Sequence, residues 1–347
     1  MKKACSTLMA ALVMLAFVGG VTVKAHAQTI KLTYSCFFPG NHTQAKLASA
    51  WCKEIEDRTK GRVKVQFFPG GTLTKASECY EGVVKSSDKK TDVKTSDIGQ
   101  SVFSYTPGRF PVMDTVGLPL GYTSGKIATG VVNEVYRHFK PKELSETEVM
   151  YLHAHGPGFI HTRGKAVRRL EDMKGLKLRC QGVSELIVRQ LGGVPKFSTI
   201  TEVYGMIQKG TVAGATHPYE SNEGFKLGEL YNYVTAAYSV AYTIPMFVVM
   251  NKNKWKALPE DIKVIIREIN NEWIPQHGEA WDTIDTEGMR FLLNHGGQII
   301  GLDSNEAARW TMAVAPIIED YVKFLNEKGL NGQEIVDFTI KTLNSMQ

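Results

Sequence analysis

From Thr29 to Val102 the chain repeats one unit, a short apolar strand followed by an amphipathic helix, and this alternation limits the fold before any single residue is weighed. Ile30, Leu32 and Tyr34 alternate at period two, and the run ends at Cys36-Phe37-Phe38-Pro39-Gly40. A helix is expected over 43–59, capped by Asn41, with Leu47, Trp51 and Ile55 on one face. Gly61 stops it, and Val63, Val65 and Phe67 form a second period-two strand closed by Pro69-Gly70-Gly71. A further helix over 75–85, an exposed polar loop over 86–96 and a strand over 97–102 continue the pattern. Strands alternating with helices of this length predict parallel pairing and an α/β fold.

The remainder keeps the same rhythm. A helix over 125–139 and a strand over 149–153 lead to His155-Gly156-Pro157-Gly158, a hinge before a second unit that starts at Phe159. There, 170–173 reads as a short helical turn, Gly175 breaks it, and 176–179 alternates as a strand before a helix over 184–191. Thr199 and Glu202 fit a capping box for a helix to Lys209. A strand over 212–217, a helix over 219–230, a strand over 234–242, a hinge at Thr243 and a strand over 244–250 follow. The run 261–294 is helical in pattern but holds Pro275 and Gly278. It reads either as two helices or as one kinked helix of roughly 50 Å, long enough to brace two domains. Closing helices are expected over 305–328.

Residues 1–27 have the form of a secretory signal peptide. Lys2 and Lys3 precede an apolar stretch over 8–18, and Ala25-His26-Ala27 offers a cleavage site after Ala27. The expected location is therefore the periplasm. About 320 residues then remain, enough for two domains. The formal charge of +6 includes Lys2, Lys3 and Lys24, which leaves +3 without them, too little to argue for nucleic acid. Export permits disulfides among Cys36, Cys52, Cys79 and Cys180. Cys52 and Cys79, on successive helices, are the pair best placed to bridge, while Cys36 and Cys180 are expected as free thiols. No cysteine has metal-site spacing, and His153 and His155 lack a third partner, so no metal or cofactor is expected.

Arg179 is the residue with most to say about function. It sits at the carboxyl end of a strand just before a helix, where open α/β sheets bind ligands. A guanidinium there offers paired, charge-assisted hydrogen bonds to a carboxylate or sulfonate.

Leu170–Arg179, EDMKGLKLR at its heart, followed by TEVYGMIQKGTVAGATHP, resembles the DctP-type solute-binding receptors of tripartite ATP-independent periplasmic (TRAP) transporters. Glu202, Val203, Tyr204, Gln208, Gly210, Gly214 and Pro218 keep the second motif. WCKEIEDRTKGRVKVQFFPGGTL, PGRFPVMD and LPL fit as well, so the resemblance spans essentially the whole mature chain.

The resemblance implies a two-domain α/β fold of the type II periplasmic-binding-protein kind, with a central cleft and a long kinked helix bracing both domains. The expected division is 28–156 plus 244–284 for the first domain and 157–243 plus 285–347 for the second. It implies that Arg179 binds the ligand's acid group and that His217, where many members carry asparagine, is a second contact. Strand ends add Phe37, His42, Gln100, Ser101, Tyr105 and Tyr242 as candidates, with His155 lining the cleft and Glu220 in a hydrogen-bonding role. A second arginine used by some members is replaced here by Phe159, Ile160 and His161, which favours a monoanion over a dicarboxylate. The small organic anion expected is a C4-dicarboxylate, a 2-oxo acid, an aromatic acid or a sulfonate. The implied partners are small and large integral membrane permease subunits driven by an ion gradient, with the receptor itself a monomer.

Two other classes share parts of this pattern. An exported enzyme acting on an organic acid would use Glu220 and His217 as an acid–base pair, but the chain has no nucleophile elbow, zinc-protease helix or dinucleotide fingerprint. An ABC-type or sensor-linked binding protein would share the cleft, and the DctP-like motifs weigh against it.

Overall fold

The computed structural model describes residues 29–88 and 90–347, so the expected signal segment 1–27 lies outside the described residues. The eleven strands are β1 (Ile30–Cys36), β2 (Val63–Phe68), β3 (Ile98–Val102), β4 (Thr147–Ala154), β5 (Phe159–Thr162), β6 (Lys177–Cys180), β7 (Val194–Phe197), β8 (Gly214–His217), β9 (Tyr233–Ala236), β10 (Pro245–Asn251) and β11 (Gln298–Gly301). The helices are α1 (Thr43–Arg58), α2 (Cys79–Val84), α3 (Pro111–Asp114), α4 (Gly125–Phe139), α5 (Val183–Gln190), α6 (Val203–Gln208), α7 (Ser221–Gly224), α8 (Lys252–Ala257), α9 (Glu260–Asn294), α10 (Ser304–Val314), α11 (Pro316–Glu327) and α12 (Gly332–Met346).

The strands form two sheets, one in the order β2-β1-β3-β10-β4 and one in the order β11-β9-β5-β8-β6-β7. Pairing is mixed rather than wholly parallel. β10 runs antiparallel to β3 and β4, and β5 runs antiparallel to β8 and β9. Connectivity explains both exceptions. β4 carries the chain out of the first sheet and β10 brings it back, so Pro245 pairs with Ala154 and the two crossings lie side by side. Gly158 N donates to Tyr242 O at 2.8 Å, and Thr243 Oγ1 donates to the His155 carbonyl at 2.5 Å. The two segments read as hinges are thus stitched to each other.

α9 is one helix of 35 residues and passes Pro275 without a break. It packs on α1, α4 and β4 of the first half and on α7 of the second. Trp51 Nε1 donates to Asn270 Oδ1 at 2.9 Å and Trp273 Nε1 to Leu47 O at 2.9 Å, tying it to α1. Asp282 accepts from Gly125 N at 2.6 Å and so caps α4 from outside. Further along, Asp285 accepts from Glu220 N at 2.8 Å. Helix and second half touch closely there. A Cβ on Gly288 would lie 2.1 Å from Tyr219 O, so only glycine permits the approach.

Several expectations change. The cap of α1 is His42, whose Nδ1 accepts from Gln44 N at 3.1 Å, not Asn41. The strand read over 234–242 stops at Ala236, because 238–240 turns to enter the hinge. Residues 332–346 form a helix that was not expected, α12, which buries Ile335, Val336 and Leu343 and packs on both α4 and α11. Among the described residues Cys36, Cys52, Cys79 and Cys180 are free and buried. Trp51 of α1 packs edge-on to Tyr34 of β1, whereas a Cβ on Gly99, level with Ser35, would strike Cys79 Sγ of α2. Neighbouring strand residues face opposite ways. α1 and α2 therefore cover opposite faces of the sheet, and Cys52 cannot reach Cys79.

Candidate functional site: a cleft between the two sheets

β6 is short, and its alternation puts Lys177 outside and Leu178 in the core. Arg179 breaks the pattern. It is only 1% exposed, because the strand's carboxyl end runs under the first half of the molecule. Gly182, just beyond, has φ 55°, and a Cβ there would lie 2.7 Å from Ser104 Cβ across the cleft. Glycine lets the two halves close at this point.

The guanidinium is held by neutral acceptors. Nε donates to Ser198 O at 2.9 Å, one terminal nitrogen to Thr216 O at 3.4 Å and the other to Gln181 Oε1. Among the described residues no carboxylate forms an ion pair with it. Arginine has five N–H groups, so two remain for something else. Since arginine only donates, the Gln181 amide turns its oxygen to it and leaves its NH2 for the cavity. Tyr105 Oη accepts from Ile200 N at 3.0 Å, which leaves its own hydrogen without a protein acceptor among the described residues. Burial pushes this phenol's pKa up, and Arg179 partly offsets the rise. Arg179, Gln181 and Tyr105 together make a donor-rich end suited to an acid group.

These residues line a narrow cavity of about 30 Å³, partly open to solvent and below the usual size of a ligand pocket. Phe37, Phe38, Phe225, Ile200, Ile244 and Met246 supply apolar walls, and Phe37 meets Tyr105 edge-on at 5.9 Å. Of the residues picked from sequence, Arg179, Phe37, Tyr105, His155, His217, Glu220 and Tyr242 line this space. His217 has both ring nitrogens engaged: Nδ1 donates to Pro218 O at 2.8 Å, and Nε2 accepts from Tyr231 Oη at 3.0 Å. It offers the cavity a ring face rather than an N–H.

His42 stands at the rim, where its Nε2 lies 2.9 Å from Glu220 Oε2. The other Glu220 oxygen accepts from Ser221 Oγ at 2.5 Å.

Gln100 and Ser101 do not line the cavity. Ser101 points to the opposite sheet face and donates to Ala76 O at 2.7 Å. Gln100 lies one pair too deep, on the core side of Val102, and joins a buried polar chain. It stands 3.2 Å from Tyr34 Oη and 3.0 Å from His153 Nε2. Trp281 Nε1 donates to His153 Nδ1 at 3.1 Å, which puts the His153 proton on Nε2, 3.0 Å from the Gln100 amide. His277, stacked on His153 at 4.5 Å, bonds Tyr151 Oη at 3.2 Å and Gln44. Burial pushes the pKa of His153 well down and that of His277 to about 3, so both rings are neutral. His153 is thus a satisfied core group. No cluster of metal-ligating side chains occurs among the described residues.

Sequence reading missed Gln181, Phe38, Thr216, Ile200 and Phe225 as lining residues. Gln181 carried a signal: two residues beyond Arg179, it faces the same way along the extended chain. Phe225 carried none, since the helix expected over 219–230 is in fact split after Gly224.

Two sheets, a doubled hinge, a bracing helix and a buried arginine facing an apolar cavity define a cleft-type solute receptor. A family model described as bacterial extracellular solute-binding protein, family 7 (DctP) matches residues 34–324, and the chain belongs to that family. It is 24% identical over 336 residues to the outer membrane transporter protein TsaT of Comamonas testosteroni, covering 93% of this chain and 94% of that protein. Among solved structures it is similar to a TRAP solute-binding protein from an unidentified marine microbe, specific for aromatic acid ligands and co-crystallised with 3-hydroxybenzoate. That likeness has a TM-score of 0.86 at 26% identity and covers 92% of this chain and 99% of that one. It is also similar to a TRAP periplasmic solute-binding protein from Desulfovibrio salexigens, with a TM-score of 0.77 at 28% identity, covering 90% and 95%. No helix among the described residues is long and apolar enough to cross a membrane.

Proposed function

We propose that this chain is the periplasmic receptor of a TRAP transporter and that it captures an aromatic monocarboxylate. It binds the acid without transforming it and passes it to the small and large membrane permease subunits for ion-gradient-driven uptake. One observation carries the reading: Arg179 is a buried cation whose protein partners are all neutral. A buried charge is costly unless paired, and a ligand carboxylate supplies the missing partner. A single cation in the cavity wall fits one acid group, and the flat apolar walls fit a ring. The similar receptor that holds 3-hydroxybenzoate supports the same reading. The two halves, 28–156 with 244–284 and the segment from 157 to 243, then close about the stitched crossings.

Isothermal titration against benzoate, succinate, pyruvate and benzenesulfonate tests this. Benzoate is expected to bind the wild type, and Arg179→Ala is expected to abolish binding while the variant stays folded. Tighter binding of succinate, or unchanged benzoate binding by Arg179→Ala, would overturn it.

A further inference from the structure

The cavity wall also holds an acceptor that no protein group among the described residues uses. His155 is 4% exposed and lines the cavity between Tyr242 and Trp281, whose rings it meets at 6.0 Å and 6.3 Å. Its Nδ1 lies 2.5 Å from Gly156 O. A carbonyl can only accept, so Nδ1 carries the proton. Burial lowers the pKa of the ring to about 4, so at neutral pH it holds that one proton and no other. Nε2 is then a lone pair, and among the described residues nothing donates to it.

The neighbouring acceptors are in a different condition. His42 Nδ1 and His217 Nε2 each receive a protein hydrogen, and each Glu220 oxygen already holds a donor. His155 Nε2 alone among these is left without one. An acceptor that a bound ligand seals from water penalises a ligand that brings no hydrogen to it.

We infer that His155 Nε2 accepts a hydrogen bond from a hydroxyl group on the captured acid, which makes a hydroxylated aromatic monocarboxylate the preferred ligand over its unsubstituted parent. This rests on the aromatic-acid reading above and adds its second point of recognition. Arg179 takes the carboxylate, and His155 selects the ring substituent.

The test compares benzoate, its three hydroxy isomers and the matching methoxy compounds by titration calorimetry. One hydroxy isomer is expected to bind the wild type about tenfold more tightly than benzoate, the scale of one net hydrogen bond. Its methoxy counterpart, which keeps the oxygen but loses the proton, should fall to benzoate's affinity or below. His155→Phe should erase the hydroxyl preference, read as the ratio of hydroxy-acid to benzoate affinity within the variant, and His155→Gln, which restores an acceptor, should recover part of it. Equal binding of benzoate and all three hydroxy isomers by the wild type would sink the inference, as would a hydroxyl preference that survives His155→Phe. The methoxy comparison needs no variant, so a misfolded substitution does not protect the idea. If benzoate binds through Arg179 and the hydroxyl changes nothing, this inference alone fails. If no aromatic acid binds, both readings fail.

Discussion

His42 Nε2 donates to Glu220 Oε2 at 2.9 Å, and this bond joins the start of α1 to the segment after β8 across the rim of the cleft. The donor is fixed by logic as well as distance. Nδ1 of the same ring accepts from Gln44 N, so the proton is on Nε2. Phe38 stacks on the ring at 4.4 Å and keeps it in place. One histidine thus caps a helix and clasps the two halves together.

Breaking that clasp should loosen the grip on ligand. His42→Ala leaves the Glu220 carboxylate buried without its donor, a loss of the kind that acts on dissociation. Ligand release measured by stopped flow is expected to speed up by about tenfold or more. An unchanged release rate would show that the contact does not hold the closed form.

Arg179 should be a burden on the protein alone. A buried cation with neutral partners is destabilising, and an apolar residue of similar length relieves the cost. Arg179→Met is expected to resist urea as well as or better than the wild type while losing ligand affinity by ~2–5 kcal/mol. A large fall in the urea midpoint without ligand would contradict this account.

Trp281 sets the proton order of the buried chain that includes His153 and Gln100. Trp281→Phe removes the donor and leaves His153 Nδ1 without a partner, at a cost of ~1–3 kcal/mol. Equilibrium unfolding in urea checks this, and a variant as stable as the wild type would refute it.

Acid should weaken the fold through its buried histidines. Burial lowers the pKa of His155 to about 4, of His161 and His277 to about 3, and of His153 and His217 well below the usual range. In the unfolded chain all five protonate near ~6.5. Below that pH the unfolded state binds more protons, so stability rises with pH and is lost as pH falls from about 6.5 toward 4. Six carboxyls act the other way: burial raises Asp114 to about 8, Glu143 to about 7 and Asp285 well above its ordinary value, and lifts Glu148, Glu185 and Asp282 by less. The five histidines outnumber the three strongly shifted carboxyls, and each uncompensated proton is worth ~1.4 kcal/mol per pH unit. The urea midpoint is expected to be lower at pH 5 than at pH 6.5, and a flat profile would exclude the mechanism.

The cysteines should be silent. Burial raises the pKa of Cys79 and Cys180 to about 12 and moves Cys36 and Cys52 higher still. Thiolate is the reactive form. A thiol reagent is expected to label none of the four in the folded protein and all four in urea, with no change in melting point on adding reductant.

Much of this architecture could be read from residue patterns. Period-two runs marked β1 and β2, and Thr199 with Glu202 does form its capping box. The strands hardest to read were β7 and β11, four residues each and at sheet edges, one of them carrying Pro195. α12 was missed although Asn331 caps it by accepting from Glu334 N, a signal present in the sequence. Antiparallel pairing of β5 and β10 was out of reach, because it depends on where the chain crosses between sheets and not on any local pattern. The site divides the same way. Arg179 was legible from its place at a strand end. Gln100 and Val102 share a face, and only the depth of the cleft decides which of them reaches the cavity.

The position of β10 also bears on how the molecule is made. It lies between β3 and β4, yet it is synthesised after nine other strands. Until residue 251 has emerged, the first sheet has a gap between β3 and the edge strand β4, with two raw edges facing each other across it. Long-range strand pairing of this kind is slow and leaves incomplete sheets open to aggregation. Acquisition of structure in the first sheet is therefore postponed until about three-quarters of the polypeptide is available.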